Sequence, residues 1–504
     1  MNTFHPRTAP AASTLIAHPL LWLMLLAAAH VVVRVAISPS LKWDEAEQML
    51  WSQHLALGYG SQPPLYTWLQ WAANAVLGPS VLSLSVLKHA ALALTYVFMW
   101  GAARELLGPR GAWWASASML LLPPLGWYSV RDQTHSVLVT AMTCASWWLL
   151  IRLVKRPRPL DFALLGLVFA LGMLSKYSFA MVAGTMVLAA LTVPEARRAL
   201  LSRGWWWTPL VATLILLPHA TWLATHLQEA TTETLNKMQI QPDASMGKGL
   251  LSLLTVLLGV ALLWVLAALW AFRSAWWQHP LAPAAPWLTL VFKRYFALIL
   301  LTLLGMVLLG DVSNFRERWI LPLLCSLPLM AFTARPELQG HPRASRYTAA
   351  VAAFAVLLLA AAGGRLWFGL MRGDADELNH PVVELAARLQ EAGYDGRSPI
   401  IAADHMLAGS LRTRFPAAST QACAAREGDD VPACVAAVAE RARKTGQGWL
   451  LVSRADRLEP EWWSLAQSRV ESVAVLGVKL PFIQLGKLPP AYYQFAWHPA
   501  KEQP

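Results

Sequence analysis

Asp44, Glu45 and Glu47 fall within the stretch Trp43-Asp44-Glu45-Ala46-Glu47, and Gln62-Pro63-Pro64-Leu65-Tyr66-Thr67-Trp68 follows shortly after. A carboxylate can take a proton from a hydroxyl nucleophile when a rigid support holds it within hydrogen-bond reach. Only 14% of the chain is charged, yet these acids come directly after its first apolar run. Asp44 and Glu45 are therefore the candidate catalytic carboxylates. An Asp-Glu pair also suits an ordinary helix start, where the helix dipole favours acids. The rigid Pro63-Pro64 and the aromatic residues around it weigh toward chemistry, since they would hold the pair at a polar headgroup.

Cations recur at separate points along the chain. Arg131-Asp132 occupies a short turn, Lys176 stands between two apolar runs, and the segment from Asp311 to Trp319 gathers Asp311, Asn314, Arg316, Glu317 and Arg318. Arginine forks match phosphate oxygens in two-pronged geometry. Arg131, Lys176, Arg316 and Arg318 are thus candidates for binding an anionic substrate group, with Asp132 orienting a neighbouring cation or hydroxyl. Structural ion pairing accounts for the arginines equally well, and snorkelling accounts for Lys176. Gln62 and Tyr66 complete the candidate substrate-binding set. His219 and His226 share one helical face without nearby carboxylates, which is a weak metal signal, and no metal site is assigned. No cofactor is expected, and a divalent metal has no support in the sequence. Neither an internal repeat nor a nucleotide-binding glycine motif occurs.

The elements that position these residues are set by composition. With 56% hydrophobic residues and a mean hydropathy of +0.42, the chain lies outside soluble globular usage and reads as an α-helical polytopic membrane protein. About eleven apolar runs approach the length needed to cross a ~30 Å hydrocarbon core. They lie near 20–37, 81–103, 113–128, 134–154, 161–175, 177–193, 206–226, 250–272, 295–310, 319–333 and 348–370. The first, preceded by Arg7, has no cleavage pattern after it and reads as a retained span.

With the N-terminus inside, the basic connectors 104–112, 152–160, 194–204, 273–294 and 334–347 all fall on the cytoplasmic side, which satisfies the positive-inside rule. That rule explains the net charge of +12 better than nucleic-acid binding does. The outer face then receives the loop 38–80, the turns at Arg131 and Lys176, the loops 227–249 and 311–318, and everything after about Met371. Tryptophans at run ends, such as Trp113-Trp114, Trp147-Trp148, Trp205-Trp206-Trp207 and Trp276-Trp277, read as interface anchors.

Within 38–80, residues 44–57 have helical spacing, Pro63-Pro64 interrupts it, and a second amphipathic piece follows; both suit helices lying at the membrane surface. The domain reading is a transmembrane domain over 1–370, with its first outer loop at 38–80, and a small soluble α/β domain over 371–504 on the outer side. In the latter, 382–389 has helical periodicity, while 399–404 and 448–453 read as buried strands. Cys144 and Cys325 read as core fillers. Cys423 and Cys434 are placed to form a disulfide if their region lies outside the cytoplasm.

Taken in order, Trp43-Asp44-Glu45-Ala46, Pro63-Pro64-Leu65-Tyr66-Thr67-Trp68, Arg131-Asp132, Ser175-Lys176 and Arg318-Trp319-Ile320-Leu321-Pro322 resemble the polytopic type C glycosyltransferases. The likeness covers roughly 15–370 and is nearest to the bacterial protein-mannosyltransferase-like and lipid A aminoarabinose-transferase-like enzymes. It implies transfer of a sugar, usually with inversion, from a polyprenyl-phosphate donor to an envelope acceptor at the periplasmic face of the bacterial inner membrane. It also implies that the acid pair, Asp44 above all, is the catalytic signature, and that an outer soluble domain follows the last span. Two positions depart from the pattern. Ser61-Gln62 stands where a Glu-Lys usually precedes Pro-Pro, and Glu47 stands where an Arg often follows Asp-Glu-Ala. Carrier phosphate must then be held elsewhere, by Lys176, Arg316 or Arg318. The competing reading is a flippase of lipid-linked sugars. Transporters, however, place ionisable groups near the bilayer midplane, whereas here they collect on one face.

Overall fold

The computed structural model describes residues 18–239, 245–276, 282–424, 430–455 and 461–500; Arg7 and Trp277 lie outside the described residues. Seven described helices are long and apolar enough to cross a membrane: Pro19–Ile37, Val81–Arg104, His135–Lys155, Trp207–Thr225, Met246–Phe272, Pro286–Leu309 and Ala344–Gly363. An eighth is possible if Phe179–Thr192 and Pro194–Leu200, bent by 114° where Pro194 follows, act as one span. Pro159–Ser175 is apolar but shorter.

Two apolar runs are broken rather than continuous. The run at 113–128 becomes a helix Pro109–Ala117, a tight turn Ser118–Leu121 and a wide turn Pro124–Tyr128. Pro123 and Pro124 supply no amide hydrogens and clash with a straight helix. The run at 319–333 divides into Glu317–Leu324 and Leu327–Ala334.

The chain forms two compact units. The first comprises Ala56–Tyr66, Lys88–Leu359 and the residues up to Ala29. His135–Lys155 is its most enclosed helix: Trp147 lies 4.5 Å from the Phe292 ring and 4.9 Å from that of Tyr295. Trp114 gathers Phe272, Phe332 and Tyr347 at 5.3–5.4 Å. The expectation that Trp113, Trp114 and Trp147 anchor at the membrane interface is thus corrected, because all three are buried against other helices. A tryptophan buries up to ~250 Å² of largely apolar ring, and these rings gain more from neighbouring aromatics than from headgroups. Trp205 and Trp206, by contrast, are exposed. Trp207–Thr225 and Met246–Phe272 leave most of their apolar side chains uncovered, as lipid-facing helices would. Cys144 and Cys325 are free thiols in the helical core.

The second unit comprises His30–Leu55, Thr67–Leu87 and Ala360–Pro504. Its centre is a five-stranded sheet of β1 (Ile400–Ala402), β2 (Thr420–Ala422), β3 (Trp449–Arg454), β4 (Leu476–Leu480) and β5 (Ala491–His498). The spatial order is β2-β1-β3-β5-β4, with β1 parallel to β2 and β3, and β5 antiparallel to β3 and β4. Alternate residues of β1 and β3 face opposite cores, as the strand period of two requires. Ile400, Ala402, Leu450 and Val452 pack with Leu385, Leu389, Leu411 and Phe415, and Leu50 joins that same cluster. Ile401, Leu451 and Ala496 pack on the other side with Val435, Val438 and Trp462. Helices cover both faces, which is why these strands are apolar without a polar alternation. Cys423 and Cys434 form a disulfide, with Cα atoms 5.8 Å apart.

Candidate functional site

The acid pair lies on the helix Trp43–Trp51, in the second unit. Arg34, in the last turn of Pro19–Ile37, organises the approach to it. Its guanidinium donates to Ser38 O at 2.9 Å and Ser40 O at 2.8 Å. It also grips both oxygens of Glu45, at 3.1 Å through Nε and 2.6 Å through Nη2. Glu45 additionally accepts the Lys42 amide at 3.1 Å, which caps the helix. Glu45 is only 1% exposed and its carboxylate is fully engaged. Asp44, half-buried in the first turn, sits at the positive end of the helix dipole.

Lys42 supplies a second tether. Its ammonium binds Asp376 at 2.8 Å and also Glu377, while Arg365 reaches Asp376 at 3.4 Å. Burial would raise the Asp376 carboxyl, but the hydrogen bond with Glu377 and the charges of Arg365 and Lys42 outweigh it and hold the group well below the usual carboxylate range. Hydroxyls complete the attachment: Ser38 donates to Leu378 O and Ser40 to His380 O, each at 2.6 Å, and the Leu41 amide donates to Ser410 Oγ at 3.3 Å.

The helix Trp43–Trp51 lies against His405–Arg414 so closely that a Cβ on Gly409 would stand 2.6 Å from Ala46 Cα. On its other flank, Thr67 donates to Gln48 at 3.0 Å and Asn74 to Ser52 at 2.9 Å. The expected helix over 44–57 stops at Trp51. Ser52 turns its hydroxyl back to Gln48 O, and the Gln53 amide leaves to pair with Thr420, donating at 2.8 Å and accepting at 2.9 Å.

The remaining candidates lie in the first unit and form four groups. Gln62 closes a tight hairpin with Tyr59 through backbone bonds of 3.1 and 3.2 Å, turning at Gly60 with φ +56°. Tyr66 and Lys176 come together around the start of His135–Lys155. The Tyr66 ring lies 5.3 Å from that of His135, Lys176 donates to Ser136 Oγ at 2.8 Å, and His135 Nδ1 is 3.3 Å from Ser175 O. Arg131 pairs with Asp132 and lies over the Tyr128 ring at 5.2 Å. Arg316 lies over the Trp319 ring at 5.8 Å. Burial and the adjacent charge of Arg318 both push the Arg316 guanidinium down from its ordinary value. Like charges held together in this way are relieved by an anion. Among the described residues no three His, Cys, Asp or Glu side chains are grouped to hold a metal ion.

Residues 61–222 match the family model of dolichyl-phosphate-mannose-protein mannosyltransferases. The lipopolysaccharide core galacturonosyltransferase RgtB of Rhizobium johnstonii is 31% identical, over 78% of this chain and 81% of the relative. The chain belongs to the type C glycosyltransferases. A second core galacturonosyltransferase of the same organism, RgtA, is 30% identical to this glycosyltransferase, over 77% of the chain and 78% of the relative. The fold is that of ArnT from Cupriavidus metallidurans, solved with undecaprenyl phosphate bound. The TM-score is 0.60 at 14% identity, covering 94% of this chain and 98% of ArnT.

Within this membrane glycosyltransferase, sequence reasoning located the acid pair but missed what holds it. Arg34 was legible as a cation within the first apolar run, eleven residues before Glu45. The tether between Lys42 and the Asp376-Glu377 acids carried no such signal, because the partners lie 334 and 335 residues apart.

Proposed function

We propose that this glycosyltransferase moves a uronic acid sugar, of the galacturonosyl type, from a polyprenyl-phosphate donor to a saccharide hydroxyl of the lipopolysaccharide core. The observation that carries the reading is the 31% identity to a core galacturonosyltransferase over most of both chains. The ArnT fold, known with undecaprenyl phosphate, supports the donor class. Because the relatives are transferases, the flippase alternative is set aside.

In this reading Asp44 is the reacting carboxylate and Glu45 its partner in the catalytic pair, held by Arg34 so that the helix presents Asp44 in one place. Asp44 accepts the proton of the acceptor hydroxyl as its oxygen attacks the anomeric carbon. The bond from that carbon to the phosphate oxygen breaks on the opposite face, which inverts the centre, and polyprenyl phosphate leaves with the electron pair. Lys176, Arg316, Arg318 and Arg131 neutralise the phosphate charge as it develops. Asp132 orients Arg131, while Gln62 and Tyr66 contact substrate. With Gln62 in place of the usual lysine, Lys176, already fixed by Ser136, is the natural holder of carrier phosphate.

The site is assigned to the periplasmic face of the inner membrane, with about eleven crossings once the shorter and broken helices are included. The helices of 38–80 lie at the outer surface, and 371–504 form an outer soluble domain after the membrane domain of 1–370. The disulfide Cys423–Cys434 supports that side, since such bonds persist in oxidising compartments.

Asp44→Asn tests the assignment in membrane vesicles supplied with polyprenyl-phosphate galacturonic acid and core lipopolysaccharide. A general base contributes about 10²–10⁴ in rate, so transfer should fall by at least a hundredfold at unchanged protein level. Full activity in the variant refutes the role.

A further inference from the structure

We propose that a cavity beside the helix Trp43–Trp51 binds an anionic sugar unit of the acceptor saccharide. The cavity has a volume of about 610 Å³ and opens between that helix and the edge strand β2. Its size lies within the ~300–1,000 Å³ usual for small-molecule sites, enough for a sugar ring and its neighbour. The inference rests on the acceptor class given above.

The chemistry of the lining selects a saccharide. Trp51 offers a flat apolar ring suited to the C–H face of a pyranose, and Gln421, Gln447 and Thr445 offer donors and acceptors for hydroxyls. Arg441 and His54 add cationic or donor groups, and among the described residues no acidic side chain lines the cavity. A carboxylate or phosphate on the sugar would meet the Arg441 fork directly.

The walls are held in place before any ligand arrives. The Gln53 amide is paired in both directions with the Thr420 backbone, and Arg441 Nη2 donates to Gln421 Oε1 at 3.0 Å. Such preorganisation lowers the ordering cost of binding. Position completes the argument. Trp51 ends the helix on which Asp44 lies in the first turn, and a rise of 1.5 Å per residue separates the two by roughly 10 Å along the axis. A saccharide seated at Trp51 would extend its neighbouring unit toward Asp44.

The test uses the full-length protein in lipid nanodiscs, with delipidated core oligosaccharide as the probe and neutral maltotriose as the control. Calorimetry should show binding of the oligosaccharide and none of maltotriose. Losing one charge-assisted contact should weaken binding about tenfold in Arg441→Gln, with a smaller loss in Gln447→Ala. In transfer assays the acceptor KM should rise in proportion, with kcat and donor KM unchanged. Oligosaccharide affinity in Arg441→Gln equal to that of the parent protein overturns the inference, as does equal binding of maltotriose. The binding arm needs no turnover. Intact, Arg441-dependent binding by a protein that transfers nothing from a polyprenyl-phosphate donor would therefore sink the functional reading and leave the cavity assignment standing.

Discussion

Removing Arg34 should damage the enzyme through Glu45 rather than through substrate. The pair is almost wholly enclosed, with side chains 6% and 1% exposed. Arg34→Met would strand a charged Glu45 without its fork and free the carbonyls of Ser38 and Ser40. Breaking a buried pair from one side costs about 3–5 kcal/mol. Glu45→Gln should cost less, since its amide oxygen can still accept from Arg34 while two backbone carbonyls continue to hold the guanidinium. Replacing both residues by methionine removes the uncompensated charge as well as the attraction, so the double variant should be more stable than Arg34→Met alone.

The assay is thermal denaturation of the purified protein in detergent, combined with transfer rates in vesicles below the transition. If Glu45 positions Asp44, transfer in the three variants should follow their stability, and the double variant should recover part of both. Two results would refute this. A double variant no more stable than Arg34→Met alone would show that the stranded Glu45 charge is not the source of the loss. A Glu45→Gln protein as stable as the parent but slowed more than a hundredfold would make Glu45 itself the reacting base.

The packing of Gly409 against Ala46 leads to a second expectation. Gly409→Ala places a methyl 2.6 Å from the Ala46 backbone, so the helix bearing Asp44 must move, and kcat should fall while the protein remains folded in a thermal scan. Wild-type kcat in that variant would show that the helix position is not critical. The Lys42 tether sets a pH limit. The folded Asp376 carboxyl titrates below its unfolded value of about 3.9, so its stabilisation is complete above that pH and declines as the medium is acidified through and beyond it. Thermal stability measured from pH 7 to 3 should show a decline at the acid end that Asp376→Asn lessens; identical profiles would exclude Asp376 as its source.

Much of the architecture was legible because membrane helices and buried strands announce themselves locally. Apolar runs such as 134–154 and 250–272 correspond closely to His135–Lys155 and Met246–Phe272, since both length and composition are dictated by the surroundings. The strand reading at 399–404 contains Ile400–Ala402, and that at 448–453 covers Trp449–Arg454 up to its last residue, because both faces of that sheet are covered and the sequence is correspondingly apolar. Buried Trp114 and Trp147 were not legible as core: a tryptophan at the end of an apolar run has the same sequence whether it meets headgroups or Phe292. The early stop at Trp51 was hidden for a related reason. What draws Gln53 out of the helix is a strand edge far along the chain, and local propensity carries no trace of it.

The pairing of Gln53 with Thr420 spans 367 positions, and it orders events during biosynthesis. An edge strand offers unpaired backbone groups to any passing chain; here one side-chain amide occupies the place that a neighbouring strand would take. Residues around Gln53 leave the ribosome long before their partner, so the acid-bearing loop must wait, unfinished, until β2 has been made. A chain truncated before Thr420 would lack that anchor and the strand itself, while a C-terminal fragment made alone would carry an unguarded edge prone to self-association. Completion of the acid-bearing loop is thereby tied to completion of the polypeptide, so a prematurely terminated product would lack a finished loop.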